Sequence, residues 1–358
     1  MLQVDTPASA RKPSVGFYDS PLPLPEELTE YGLARTLEVI RPFIEEARGN
    51  VRRGIRELQR SQRLSPFDAE TIEPILAMNL AVPLLRIIGR VMVLELNVDR
   101  LRRLLPGATA EERFLIFLRR ICEPERVAKL LDEYPGLVSQ VALRLRQWAN
   151  FSLEFLRNVS RDWPELRTRF FAADPGNITA VESGAGDSHN SGRSVLRLSF
   201  SEGCRLVYKP RPMAVDEHFQ RLLALVNELG FVPRFRLLKC LDRGNYGWSE
   251  FVSPEPCRTP DEVTRFYRCQ GGNLALLYAL EACDFHCENV IAAGEHPVLV
   301  DLEALFHPRL LMFSGSDADV TAHGTLAHSV LRTGLLPTEN TQRRSILISA
   351  ALAARQDS

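Results

Sequence analysis

Four residues in the second half of this sequence, Lys209, Asp284, Asn289 and Asp301, have types and spacings that suit phosphoryl transfer. That chemistry asks a protein for few things. A lysine must neutralise phosphate oxygens. One carboxylate must accept or orient the proton of the attacking hydroxyl, and a second carboxylate and an amide must hold magnesium.

The spacing carries the argument. In protein kinases the base and the metal-binding Asn stand five residues apart, and a metal-binding Asp follows the next hairpin. Here Asp284 to Asn289 is five residues and Asn289 to Asp301 is twelve, with "VIAAGEHPVLV" between them. That segment reads as strand, Gly-containing turn and strand. The hairpin would bring Asn289 and Asp301 to neighbouring positions, where one cation takes oxygen from both. Lys209 ends the apparent strand "RLVYK", and the polar, Gly-rich stretch "ESGAGDSHNSG" lies ahead of it, as a phosphate loop would. Taken singly, each residue has an ordinary reading: Asp284 and His286 as a loop-capping pair, Asn289 as a turn residue, Lys209 as a snorkelling strand end. The ordered set is what points to a nucleotide-phosphate site. A zinc site from Cys283, His286 and Cys287 does not match the usual ligand spacings.

The elements that must position these residues can be read around them. The stretch "DPGNITAVESGAGDSHNSGRSV" reads as a long turn or loop. After it, "SVLRLSF" and "CRLVYKP" form a hairpin, "DEHFQRLLALVNELG" a helix ending at Gly230, and "RFRLLKCLD" with "GWSEFVS" a second hairpin. A Pro-rich break, "SPEPCRTP", precedes the helix "DEVTRFYRCQGGNLALLYALEA". Residues 26–175 show helical periodicity throughout, as in "LARTLEVIRPFIEEARGNVRRGIRELQR", with arginines between the apolar positions. Those arginine faces are expected to be solvated; a docking surface for a peptide is the alternative. Residues 1–25 are rich in Pro and Ser and are expected to be poorly ordered. The expected organisation is therefore α+β: a helical N-terminal region, then over 176–358 a lobe of antiparallel sheet plus helices.

Composition sets the outer bounds. The 358 residues are 45% hydrophobic and 25% charged with a net charge of −1, which suits a soluble globular chain and gives no bulk attraction to nucleic acid or to a membrane surface. All seven histidines lie at or beyond His189. The seven cysteines are odd in number and irregular in spacing, which suggests reduced thiols and a cytoplasmic location. The most apolar stretch, "LAVPLLRIIGRVMVLELNV", is broken by Pro83, Arg86 and Arg90 and is expected to be a buried helix, not a membrane span.

At the motif residues the sequence resembles the dehydratase domain of class II (LanM-type) lanthipeptide synthetases. The resemblance is carried by "GDSHNSGRSV", "LVYKPRPMAVDEHFQRLL", "GWSEFV" and "DFHCENVIAAGEHPVLVDLEALF". It extends to "LELNVDRLRRLLPGATAEERFLIFL" and "LLDEYPGLV", roughly residues 75–340. It implies a lipid-kinase-like or protein-kinase-like lobe with an added helical region. It also implies use of ATP and Mg2+ to phosphorylate Ser and Thr of a ribosomally made precursor peptide, with elimination to dehydroalanine or dehydrobutyrine.

By that resemblance Lys209 is the phosphate-binding lysine and Asp284 the catalytic aspartate, with His286 near the reacting centre. Asn289 and Asp301 are metal ligands with Glu303 beside them, and Asp187 and His189 are a pair in the Gly-rich loop. Family members continue well beyond "DLEALF", so an incomplete C-lobe, no zinc-dependent cyclase and a separate C-terminal partner are expected. Two other readings stay open: a peptide- or partner-binding module without catalysis, and a kinase of another substrate.

Overall fold

The computed structural model describes residues 22–23, 33–61, 65–183, 192–307 and 328–336. Asp187, His189 and nearly all of the N-terminal 25 residues lie outside the described residues. The described residues fall into two compact units. One is drawn from Met1–Glu165, Gly176–Glu182 and Ser188–Arg193, the other from Leu166–Pro175, Ser183–Asp187 and Ser194–Ser358. The architecture is α+β.

The first unit is helical. A 3-10 turn, Leu33–Ile40, leads into α1 (Arg41–Ser61), followed by α2 (Ile72–Ala77), α3 (Ala81–Leu101), α4 (Ala110–Ile121), α5 (Pro124–Glu133) and the long α6 (Pro135–Phe170). Helix α4 begins at Thr109 because the Thr109 hydroxyl accepts from the Glu112 N–H while the Glu112 side chain accepts from the Thr109 N–H. The apolar stretch is helical but buried along one stripe only: Ile72, Leu76, Leu80, Leu84, Ile88 and Met92 recur every fourth residue and are buried, whereas Val82, Val93, Leu94 and Leu101 are exposed. By length and composition alone Ile72–Leu101 would also reach across a bilayer.

The arginine faces meet expectation in part: Arg53, Arg56 and Arg60 are exposed, but others turn inward. Arg48 and Arg52 of α1 converge on Glu73 of α2, whose carboxylate is 2% exposed, at 2.7 and 3.0 Å. Arg126 of α5 binds Asp99 at 2.8 Å and Glu95 at 3.0 Å on α3. These arginines tie helices together through buried carboxylates; periodicity places them beside the core but says nothing of their partners.

A further correction concerns the stretch read as loop. Ile178–Ser183 forms strand β1, with Ile178 and Val181 buried. Two of its backbone groups are met within the first unit: the Ile178 N–H donates to the Pro66 carbonyl and Asn79 Nδ2 to the Val181 carbonyl. Three β-forming residues among glycines were enough to make a strand.

The second unit holds β2 (Leu196–Phe200), β3 (Arg205–Lys209), α7 (Ala214–Glu228), β4 (Cys240–Asp242), β5 (Gly247–Glu250), α8 (Pro260–Ala279), β6 (Val290–Ala293) and β7 (His296–Leu299). Strands β2, β3, β5 and β4 lie side by side in that order, antiparallel. Leu198, Leu206, Tyr208 and Trp248 are fully buried, and the Tyr208 and Trp248 rings meet at 4.9 Å. Only the end of "RFRLLKCLD" is strand. Ahead of it, side chains replace the ladder: Phe235, Leu238 and Lys239 N–H groups donate to Asn227, Gln220 and Glu250. β6 and β7 make a separate two-stranded hairpin with Val290 opposite Leu299 and Ala293 opposite His296, turning at Gly294 with φ 60°. This is the hairpin expected between Asn289 and Asp301.

Candidate nucleotide-phosphate site

Strand alternation fixes Lys209 first. Leu206 and Tyr208 point one way into the core, so Lys209 points the other way. It pairs with Gly247 of β5, where an added Cβ would come within 2.6 Å of the Leu241 carbonyl and 2.7 Å of Met213. The lysine is nonetheless buried, and its Nζ has two partners. One is Asp216 Oδ1 at 3.0 Å, in the first turn of α7; the other is the backbone carbonyl of Val300, just after β7.

The loop between α8 and β6 is anchored by an apolar side chain between polar ones. Phe285 is 1% exposed and packs with Leu277, Ala282, Leu299, Leu302 and Leu305. Its N–H donates to the Thr333 carbonyl at 2.8 Å. Asp284 has φ 64°, a left-handed conformation that Asp adopts more readily than most side chains, and its side chain is 67% exposed. His286 Nδ1 accepts the Glu288 N–H at 3.3 Å, which leaves the ring proton on Nε2, 3.5 Å from Asp284 Oδ1. Burying Phe285 therefore holds its two ionisable neighbours at the surface.

A chain of three hydrogen bonds links the predicted residues. The Asp284 carbonyl accepts from Asn289 Nδ2 at 2.7 Å; the Asn289 carbonyl accepts from the Val300 N–H at 3.1 Å; the Val300 carbonyl accepts from Lys209. Lys209, Asn289 and the residue preceding Asp301 thus meet across the β6–β7 hairpin.

Two participants were missed by the sequence reading. Asp216, buried beside Lys209, also accepts from Arg211 Nη1 at 2.9 Å. Arg211 Nη2 donates to Asp301 Oδ1 at 3.1 Å, and its Nε lies 3.7 Å from Glu303. Burial works against the Arg211 charge, but Asp216, Asp301 and Glu303 outweigh it and raise the guanidinium pKa further. The cluster sets two cations against three carboxylates. The signals were present: Arg211 stands two residues from Lys209, the spacing of one strand face, and Asp216 sits in the first turn of a helix, where acids are favoured.

The donors at the open side are hard oxygens, the kind Mg2+ takes through one or two carboxylates with substrate phosphates and waters. Asn289 donates through its amide nitrogen to Asp284, which turns its carbonyl oxygen to the other side. Asp301 and Glu303 are 37% and 48% exposed at the side chain, and the Glu303 N–H approaches Asp301 Oδ1 at 3.4 Å. The donor types are ones the ion accepts. The carboxylates nevertheless face Arg211, and among the described residues no three His, Cys, Asp or Glu side chains form a ready cage. Cys283, from the zinc alternative, turns its thiol toward the Ala304 carbonyl.

Residues 134–358 match the family described as a domain of unknown function, DUF4135. The chain belongs to this family. Every side chain of the cluster in this DUF4135 protein falls inside the matched region. The chain is also 26% identical over 264 residues to the Lacticin 481/lactococcin biosynthesis protein LcnDR2 of Lactococcus lactis subsp. lactis. That alignment covers 71% of this chain and 28% of LcnDR2, so the DUF4135 chain spans less than a third of that relative. Both findings agree with the resemblance to the dehydratase domain of LanM-type lanthipeptide synthetases.

Proposed function

We propose that the cluster around Lys209 binds the phosphates of ATP, and that the chain is the nucleotide-binding part of a lanthipeptide dehydratase working on a precursor peptide. The observation that carries this reading is the hydrogen-bonded chain from Lys209 through Val300 and Asn289 to Asp284. Support also comes from the order of parts: strand lysine, helix carboxylate, Pro-rich link, helix, loop and hairpin. That is the order of a kinase-like lobe, with Asp216 in the place of the helix acid that pairs the strand lysine.

Each residue then has a task. Asp216 fixes the Lys209 ammonium where it can meet a phosphate oxygen. Asp284, exposed at the loop, accepts the proton of a Ser or Thr hydroxyl, and the His286 Nε2–H beside it stabilises its charge. Asn289 and Asp301, with Glu303 adjacent, would hold Mg2+, which when bound supplies charge neutralisation to the transferring phosphoryl group. The same cationic surroundings would offset charge on phosphate leaving in an elimination. All seven cysteines are free thiols, in keeping with a cytoplasmic location.

The test is incubation of the full chain with ATP, Mg2+ and a lanthipeptide precursor peptide, followed by mass spectrometry. Phosphate gain or water loss is expected. No mass change together with no ATP binding would overturn the reading. A second reading is a peptide-binding module without catalysis. It predicts peptide binding that survives Lys209→Ala.

A further inference from the structure

Arg211 has no role in the proposed chemistry, yet it holds the centre of the cluster. Its Nη1 lies 2.9 Å from Asp216 and 3.1 Å from the Pro212 carbonyl, its Nη2 lies 3.1 Å from Asp301, and its Nε lies 3.7 Å from Glu303. The guanidinium is largely buried at 18% exposure, while the two outer carboxylates are wet. It thus neutralises, from the protein side, the very carboxylates that would meet a divalent cation from the solvent side. A divalent ion on Asp301 and a guanidinium on the same carboxylate repel, and a guanidinium cannot relieve this by losing its proton. Arg211 can relieve it by moving, since its grip on Asp216 and on Pro212 uses Nη1 and does not depend on Asp301.

Resting on the proposed metal role of Asp301, we propose that Arg211 is an exchangeable counter-ion. It holds Asp301 and Glu303 while no metal is bound, and a divalent cation displaces it from Asp301 while Nη1 stays on Asp216. The site is thereby kept from standing as an uncompensated pair of carboxylates, and metal binding is coupled to release of a cation that lies two residues from the phosphate lysine.

The probe is Mn2+ alone, titrated into the nucleotide-free full chain and followed by electron paramagnetic resonance. Arg211→Gln should bind Mn2+ about tenfold more tightly than the unaltered chain, since one like charge is gone. Arg211→Lys should stay close to the unaltered chain, and Asp301→Asn should lose the site. Unchanged or weaker binding in Arg211→Gln overturns the proposal, as does an equal gain in Arg211→Lys.

Should Arg211→Gln fail to fold, the unaltered chain decides. Saturating Mn2+ should raise phenylglyoxal labelling of Arg211, read by peptide mass spectrometry, severalfold; an unchanged or slower rate overturns the proposal. Absence of Mn2+ binding in every chain would remove the metal site itself, whereas Mn2+ binding with Arg211 unmoved would remove only the exchange.

Discussion

Glu73 in the first unit and Asp216 in the second are both buried carboxylates, each clasped by two cations at 2.7–3.0 Å. At Glu73 the described contacts join two helices: Arg48 and Arg52 come from one turn of α1, reach Glu73 of α2, and also meet Glu45 of their own helix at 3.7 and 4.0 Å. The clasp at Asp216 opens outward. Lys209 and Arg211 pass on to the Val300 carbonyl, Asp301 and Glu303, some ninety residues away in sequence and partly wet. The two carboxylates are similarly buried and similarly paired. What marks the Asp216 clasp as a candidate reaction site is that its cations also face a second, solvent-reached segment that carries Asp301 and Glu303.

The strongest way to break that contrast is to cut both clasps. Lys209→Met should weaken ATP binding by about 100-fold, as loss of the phosphate-neutralising charge requires. Glu73→Gln should leave ATP affinity within about twofold while lowering unfolding free energy by about 3 kcal/mol, because two guanidinium groups lose a buried anion. Calorimetric ATP titration and urea unfolding measure the two. Equal loss of ATP binding in both variants would mean that neither clasp is chemical.

A finer test compares two glycines with nearly the same backbone. Gly334 (φ 75°) lies against the Asp284 loop, where a Cβ would come 3.1 Å from the Phe285 nitrogen, while Gly203 (φ 77°), in the β2–β3 turn, has open space around it. Alanine at either should cost about 1 kcal/mol of backbone strain. Only Gly334→Ala should also slow phosphate transfer, by about tenfold. Parallel melting curves with unequal activities sharpen the contrast; equal activities would detach the loop from the 328–336 segment.

The smallest expected effect is a titration. Burial pushes the Cys240 thiol up to about 11, with Asp216 adding to the rise, whereas Cys122 in the first unit is raised chiefly by burial without reaching a large shift. A thiol whose folded pKa exceeds its unfolded value near 9 binds its proton more tightly when folded. Its contribution is complete below about pH 8.5 and is lost as pH rises through 11. Cys240 should therefore resist iodoacetamide at pH 9 in the folded chain and react on unfolding. Rapid labelling of folded Cys240 at that pH would contradict the buried, acid-flanked setting.

Much of the site was legible in the sequence because its key relations are local. The count from Asp284 to Asn289 spans one loop, and the count from Asn289 to Asp301 spans one hairpin, so strand periodicity alone brings their ends together. Arg211 escaped because its meeting with Asp301 depends on how strands β2, β3, β5 and β4 pack on a distant hairpin, and Asp216 because its role shows only once Arg211 is placed. No local period encodes that. The paired arginines of α1 and α5 were missed for the same reason, and β1 because its few β-forming residues lie among turn formers.

The β6–β7 hairpin acts as a ruler. Its rungs run from Val290 opposite Leu299 to Ala293 opposite His296, and the next rung sets Asn289 beside Val300. Adding or deleting one residue at the Gly294 turn would put a different carbonyl under Lys209 and send the Asp301 carboxylate to the opposite face. Changing apolar side chains along the two strands leaves these rungs in place, whereas changing the interval of twelve moves them. Relatives that carry out the same chemistry should keep that length even where every apolar residue inside it has changed.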